Sequence, residues 1–527
     1  MPKGKSVRRN ASHWGTFTAE VEDGQLTAVK PFPGDPDPSP ILEAVLDYAD
    51  SAARVATPVV RKGWLDNGPG GTRERRGAEP FVAVSWDKAL DLVAGEVKRV
   101  VEKHGNSAIY GGSYGWGSAG CFHVANAQLY RFLNCYGGFT EKSESYSYAA
   151  GTVITKRILG SFDSVVGHST SWASMAESTR LMVMFGGAPL KNTQVEFGGV
   201  GHHTTPAWLR KIREAGARFV VISPIRDDYP DFLDAEWITP RPNTDTAILL
   251  GIAHTLLSEG LYDRAFLDRY CVGFDRFARY LTGADDRRPK DAVWAGAIAA
   301  LDPEIIRNLA RRMAATRTML TLTWSLQRTD HGEQPYWAAI AVAAMLGQIG
   351  LPGGGFGFGY GSESSLGMPR RRLSAPRVPA LENPTRKSIP VARISDMLLN
   401  PGGAYQYDGE DRTYPDIRMI YWCGGNPFHH HQDLNRLVRA WQRPETIVVH
   451  EPYWTATARY ADIVLPATTT IERMDMAASS RDRFLVVMEP VIPPVGQARD
   501  DHQIFADLAG RLGFRQRFTE GRTTEEW

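Results

Sequence analysis

Six times in this chain a short, unbroken apolar run stops at a small or polar turn. Residues 181–185 meet Gly186-Gly187-Ala188-Pro189, residues 219–222 meet Ser223-Pro224, and residues 319–323 meet Trp324-Ser325. Residues 419–422 meet Cys423-Gly424-Gly425-Asn426-Pro427, residues 447–449 meet His450-Glu451, and residues 463–465 meet Pro466-Ala467-Thr468. A strand with one wet face alternates apolar and polar residues; these runs do not alternate, so both faces are buried. Such strands belong to parallel sheets covered by helices on both sides. Helical stretches such as 246–257 separate the runs, and two sheets fit their number better than one. The sequence therefore predicts an α/β protein.

Other elements follow from local signals. Residues 16–21 and 26–29 alternate around Asp23-Gly24, which predicts an N-terminal β-hairpin. Ser85 is a helix N-cap ahead of Ala89, Leu90, Val93, Val97, Val100 and Val101, and Gly105 ends that helix. The longest apolar run, 336–346, is too short to cross a bilayer and reads as a buried helix. The glycine-dense stretch 353–359 neither follows a strand nor opens a helix as a dinucleotide fingerprint would; it reads as a flexible wall of a funnel. Residues 368–384, rich in proline and arginine, read as a surface loop or lid.

The 527 residues carry 60 basic and 59 acidic side chains, with no basic stripe. Nucleic acid is thereby disfavoured as a partner, and a small molecule or a protein favoured. Cys121, Cys135, Cys271 and Cys423 are scattered without metal-knuckle or redox spacing, so they read as buried reduced thiols and exclude an N-terminal iron–sulfur cluster. Arg8-Arg9 is followed by Asn10-Ala11-Ser12-His13-Trp14, not by an apolar leader segment, which predicts a cytoplasmic protein with no membrane association.

Chemistry concentrates at strand ends. Gly111-Gly112-Ser113-Tyr114-Gly115-Trp116-Gly117-Ser118-Ala119-Gly120 follows a strand candidate at 107–110, where parallel sheets present ligand-binding loops. Its glycines let the backbone approach a bulky ligand, while Tyr114 and Trp116 supply a polar tip and a flat wall. Ser145 and Ser147 lie in a Ser/Tyr-rich turn; a serine alkoxide suits a hard, high-valent metal, and an ordinary turn hydroxyl is the plain alternative. His429-His430-His431 cannot all ligate one ion, because sequence neighbours point to different sides. The loop from Gly425 to Asp433 suits a large polar cofactor better. Arg328 has a surface ion pair as its plain reading, and Asp245 a helix N-cap.

The glycine run, with Gly137-Gly138-Phe139 and Ser145-Tyr146-Ser147, resembles the DMSO reductase family of molybdenum enzymes, in the branch of DMSO and biotin sulfoxide reductases. The loop Gly425-Asn426-Pro427-Phe428-His429-His430-His431-Gln432-Asp433 is similar to the family's as well. The resemblance runs from Ser12 to Gly521. It implies two parallel-sheet, Rossmann-like domains around a cofactor funnel, plus a small N-terminal β-rich domain. The segments are 1–56 (N-terminal), 57–155 (first α/β domain), 156–345 (second α/β domain) and 346–527 (return to the first). A C-terminal barrel domain of the family is expected to be absent.

The implied cofactor is molybdenum bis(molybdopterin guanine dinucleotide), and the implied reaction is reduction of a sulfoxide or N-oxide by oxygen-atom transfer. Ser147 aligns with the metal-ligating serine; the chain reads Glu144-Ser145-Tyr146-Ser147-Tyr148-Ala149-Ala150-Gly151 where the family usually has Gly-Asp-Tyr-Ser-Thr-Gly-Ala-Ala. By the same resemblance Tyr114 donates a hydrogen bond to the transferred oxygen and Trp116 covers the metal. Contacts to the two pterins are implied for Trp116, Gly117, Ser118, Ala119, Gly120, Lys191, Asn192, Ser223, Pro224, Asn243, Thr244, Asp245, Trp324, Ser325, Arg328, Asn426 and His430. His450, Glu451, Arg473 and Asp501 match more loosely. Biotin or methionine sulfoxide is the expected substrate, with DMSO or an N-oxide also open, and the electron donor is unidentified. A formate dehydrogenase or nitrate reductase type, with cysteine, selenocysteine or aspartate on the metal, and a cofactor-free scaffold are the competing readings.

Overall fold

The computed structural model describes residues 4–112, 119–370, 377–479 and 481–527. Tyr114, Trp116, Gly117 and Ser118 lie outside the described residues. The N-terminus forms a three-stranded antiparallel sheet of Lys5–Ser12, Gly15–Glu22 and Gln25–Pro31. The expected hairpin is its second and third strands. Asp23 and Gly24 both take positive φ, 50° and 85°, as the two-residue turn requires. Arg8 and Arg9 sit within the added first strand, opposite Ala19 and Thr18.

The larger sheet runs, in spatial order, Lys387–Pro390, Thr140–Ser143, Ile109–Gly112, Met419–Cys423, Thr446–Glu451, Ile463–Pro466, Val59–Arg61 and Phe81–Ala83. The first six strands are parallel; Val59–Arg61 runs antiparallel to them, and Phe81–Ala83 pairs antiparallel to Val59–Arg61. Tyr421 and Val448 pack with the helices Trp86–His104, Ala125–Cys135 and Asp501–Arg511. Their neighbours Ile420, Trp422, Ile447 and Val449 face Ile394–Leu399 and Leu434–Trp441 on the other side. Two buried faces explain the unbroken apolar runs; each such side chain contributes about 1.5–3 kcal/mol by burial.

The second sheet is wholly parallel, in the order Glu236–Ile238, Arg218–Ile222, Leu181–Phe185, Thr318–Leu322 and Gly355–Phe358. Along the chain this reads third, second, first, fourth, fifth, so the winding direction reverses between Leu181–Phe185 and Thr318–Leu322. In the larger sheet it reverses between Ile109–Gly112 and Met419–Cys423. Open α/β sheets bind ligands at the carboxyl ends of their strands beside such reversals.

Two expectations are corrected. The strand expected at 107–110 starts at Ile109 and takes in Gly111 and Gly112. A Cβ on Gly112 would lie 2.0 Å from the Trp422 ring, and one on Gly111 2.4 Å from Phe139, so these glycines serve packing first. The stretch expected to be a flexible wall forms the edge strand Gly355–Phe358 instead. Its glycine at 357 leaves room for Tyr360, whose ring would lie 2.2 Å from a Cβ there. Among the described residues no helix is long and apolar enough to cross a membrane.

Candidate cofactor site

The carboxyl ends of the larger sheet gather the turns that the sequence singled out. Thr140–Ser143 leads to Ser147, Met419–Cys423 to Gly424-Gly425-Asn426, Thr446–Glu451 ends on His450 and Glu451, and Ile463–Pro466 leads to Thr468. Gly424 and Gly425 hold φ of 77° and 78°, a left-handed pair that side chains resist. The indole N–H of buried Trp422 donates to both of their carbonyls, at 3.0 and 2.9 Å, and fixes the turn. Asn426 accepts a hydrogen bond from Thr457 Oγ1 at 2.5 Å.

Ser147 lies half-buried in a loop suspended between the two sheets. On one side the Tyr146 hydroxyl meets the Val391 carbonyl at 3.0 Å and His431 Nδ1 at 2.9 Å. A carbonyl only accepts, so the tyrosine donates to it and accepts from Nδ1–H of a neutral imidazole. Burial agrees, pushing His431 down to about 4. On the other side Gln327 Nε2 donates to the Ser147 carbonyl at 2.8 Å, and the Tyr148 ring packs 4.7 Å from Trp324. Ser147 N–H donates to Ser145 Oγ at 3.2 Å, giving the second serine a supporting place in the turn. His429 and His430 are exposed while His431 is buried, so the three histidines do not converge.

A cavity of about 280 Å³ opens beside these turns, lined by Ala119, Gly424, Gly425, His450, Glu451, Arg473 and Asp501. Ser12, His13, Trp14, Tyr48, Tyr453 and Thr468 to Thr470 also line it. A separate cavity of about 340 Å³, at His104, Ser107, Lys387 and Asp416, lies at the amino ends of the same strands. Gly120 packs against Asp475, whose carboxylate accepts the N–H groups of Cys121, Phe122 and His123. Both ring nitrogens of His450 are used within the protein. Nδ1 meets Asp501 Oδ1 at 2.9 Å, and Nε2 meets the Tyr421 hydroxyl at 2.9 Å. A carboxylate only accepts, so Nδ1–H of His450 donates to Asp501 and orients it on the cavity wall. Arg473 donates to the carbonyl and hydroxyl of Thr468 at 2.9 and 3.2 Å.

Glu451 is buried and has one hydroxyl donor, Thr455 at 3.3 Å. Burial, reinforced by the charge of Asp501, pushes its carboxyl up to about 8. At neutral pH it is therefore an acid that can donate. The unfolded chain ionises this group near 4.5 while the folded chain keeps the proton to about 8. Between those values the folded state binds more protons, so stability falls as pH rises, by on the order of a few kcal/mol. Glu451→Gln is expected to remove that part of the pH dependence in urea titrations run from pH 5 to 8. An unchanged slope would contradict the assignment.

The second sheet brings its own turns to its carboxyl edge. Trp324 is buried, whereas Ser325 and Arg328 are exposed; Thr323 Oγ1 and Ser325 Oγ share a hydrogen bond of 2.7 Å. Lys191, Asn192, Pro224 and Asn243 are exposed. The Ser223 hydroxyl is buried and donates to Asp228 at 2.5 Å, so it shapes its turn. Asp245 opens the helix Asp245–Ser258 one place inside the cap, which Thr244 occupies; the Thr244 hydroxyl donates to the Arg241 carbonyl at 2.6 Å. Burial raises the Asp245 carboxyl to about 6. Gln327, Tyr421 and the cavity residues of the N-terminal sheet were not singled out from the sequence. Each meets the site across a long chain separation, and no local pattern announces it.

Comparison with known proteins identifies the family. Residues 54–511 match the family model "Molybdopterin oxidoreductase", and residues 10–48 match "Molybdopterin oxidoreductase N-terminal domain". The chain is 51% identical to a biotin sulfoxide reductase from Cereibacter sphaeroides over 95% of this chain and 67% of that protein. It is 45% identical to a dimethyl sulfoxide/trimethylamine N-oxide reductase of the same organism, over 98% of this chain and 64% of that protein. A trimethylamine-N-oxide reductase from Haemophilus influenzae is 41% identical over 98% of this chain and 64% of its own length. The chain thus spans about two thirds of the length of these relatives. Acetylene hydratase from Pelobacter acetylenicus shares the fold, with a TM-score of 0.66 at 18% identity over 97% of this chain and 70% of that one. On the family match, on these relatives and on its strand-end site, this chain belongs to the molybdopterin oxidoreductase family, in its DMSO reductase branch.

Proposed function

We propose that this chain reduces a sulfoxide or N-oxide at a molybdenum centre held by two molybdopterin guanine dinucleotides, with Ser147 as the protein's ligand to the metal. The observation that carries this reading is the hydrogen bond from Gln327 to Ser147, because it brings the carboxyl edges of both sheets together at one serine. The larger sheet's cavity fits a pterin nucleotide: Asp501 suits ring N–H donors, protonated Glu451 suits a ring acceptor, and Arg473 suits a phosphate. Trp324 Nε1, buried without a hydrogen-bond partner among the described residues, fits a polar group at the edge of the second sheet. The strand order of that sheet supports a Rossmann-like domain for the second nucleotide, with Lys191, Asn192, Asn243, Asp245, Ser325 and Arg328 facing it.

When bound, the molybdenum centre supplies the oxygen acceptor and the two-electron chemistry. The chain's own part is to hold that centre, exclude water and orient the substrate oxygen. Tyr114 would donate to that oxygen as negative charge gathers on it, and Trp116 would screen the open side of the metal. Biotin or methionine sulfoxide is the substrate we favour, consistent with the 51% identity to a biotin sulfoxide reductase. A separate, unidentified donor would return the electrons. A cytoplasmic setting is part of this reading, and cell fractionation checks it. Protein purified from a molybdenum-replete host is expected to contain molybdenum and pterin and to reduce methionine sulfoxide with dithionite-reduced viologen. Metal-free protein from such a host, inactive after reconstitution, would overturn the reading.

A further inference from the structure

We infer that Gln327 is a positioning residue for Ser147, an inference that rests on the proposed role of Ser147 as metal ligand. Gln327 ends the 3-10 turn Trp324–Gln327, which follows the strand Thr318–Leu322 of the five-stranded sheet. Ser147 belongs to the loop after Thr140–Ser143 of the eight-stranded sheet. Although 180 residues apart in sequence, they meet through one buried amide. Its Nε2 donates to the Ser147 carbonyl at 2.8 Å and to the Trp324 carbonyl at 3.1 Å, and its Oε1 accepts from Gly151 N–H at 2.8 Å. Reversing the amide would set an oxygen against two carbonyls, so the geometry admits one orientation.

Gly151 lies in the first turn of the helix Ala149–Leu159, where N–H groups have no partner within the helix. Tyr148 holds the N-cap position and contributes no side-chain cap bond. Gln327 supplies from another sheet the acceptor that Ser, Thr, Asp or Asn would supply locally. The same side chain thus caps the helix behind Ser147 and pins the peptide of Ser147 itself. A serine oxygen stands only two bonds from its Cα, so a metal ligand of this kind is placed by its backbone. Gln327 also ties that backbone to the turn bearing Trp324, Ser325 and Arg328. Ligand loop and strand-end turn therefore keep one fixed spacing.

Gln327→Met preserves length and removes all three hydrogen bonds. In the molybdenum-loaded enzyme it is expected to lower kcat by about tenfold to a hundredfold, as a small misplacement of a reacting group does, with little change in KM. Its Mo(V) electron paramagnetic resonance spectrum should shift towards that of Ser147→Ala, and the Gly151 amide should exchange faster with deuterium. Gln327→Glu separates the two tasks. Its carboxylate still accepts from Gly151 but cannot donate to Ser147, so the amide stays protected while the spectrum shifts. A wild-type spectrum in both Gln327 variants, alongside an altered one in Ser147→Ala, would overturn the positioning role alone. An unaltered spectrum in Ser147→Ala would overturn the ligand assignment and this inference with it.

Discussion

Ser147→Ala is expected to cost more than about a hundredfold in turnover while leaving the fold intact. That loss exceeds the tenfold to hundredfold typical of groups that only orient a metal ligand. The fold should persist because the bonds holding this residue run through its backbone. Its N–H donates to Ser145 Oγ and its carbonyl accepts from Gln327, and alanine keeps both. The Tyr146 and Tyr148 anchors on either side are untouched as well. Ser145→Ala is the control: it removes the acceptor at Ser147 N–H and is expected to cost far less. Viologen-linked reduction of methionine sulfoxide, with circular dichroism on the same samples, measures both effects. Equal rates for Ser147→Ala and the parent protein would remove Ser147 as a ligand.

The largest expected effect on stability lies elsewhere, at Asp462. This carboxylate is fully buried and accepts from Arg61 Nε at 2.9 Å, Arg76 Nε at 3.0 Å, Arg76 Nη2 at 2.5 Å and Ile447 N–H at 2.8 Å. Arg61 reaches on to Thr72, Gly71 and Glu79, and Arg76 to the Trp441 and Pro444 carbonyls. The cluster ties the antiparallel strand Val59–Arg61 to Thr446–Glu451 and Ile463–Pro466, whose ends carry the cavity. Asp462→Ala leaves two buried guanidinium groups short of a counter-charge and is expected to destabilise the chain by about 3–5 kcal/mol. Asp462→Asn keeps the shape and part of the hydrogen bonding and should cost less. Urea midpoints by fluorescence test the order; equal midpoints for all three proteins would contradict it.

Much of the α/β framework was legible because buried parallel strands leave a simple mark, a run of apolar residues closed by a turn. The strands Leu181–Phe185, Met419–Cys423 and Ile463–Pro466 carry that mark. Thr140–Ser143 does not: it is polar and pairs only for four residues, yet it carries the chain to Ser147. Lys5–Ser12 is charged and sits at a sheet edge, and Gly355–Phe358 lacks the β-branched residues that signal a strand. The site divides in the same way. Residues that follow strands were visible, because position in the pattern implies a place in space. Gln327 and Tyr421 act through bonds closed by the tertiary fold, the first across 180 residues and the second through His450. His450 was singled out for the cofactor because it ends a strand, whereas its contacts to Tyr421 and Asp501 are closed only by the fold.

In the proposed site one hydroxyl oxygen of this chain, that of Ser147, reaches the metal. X-ray absorption at the molybdenum edge of the loaded protein addresses it directly, by comparing the parent chain with Ser147→Ala. A shell of sulfur neighbours is expected in both proteins, with a single-bonded light-atom scatterer present in the parent and absent from the variant. The same light-atom shell in both would mean that the oxygen comes from another source and that Ser147 is not the ligand.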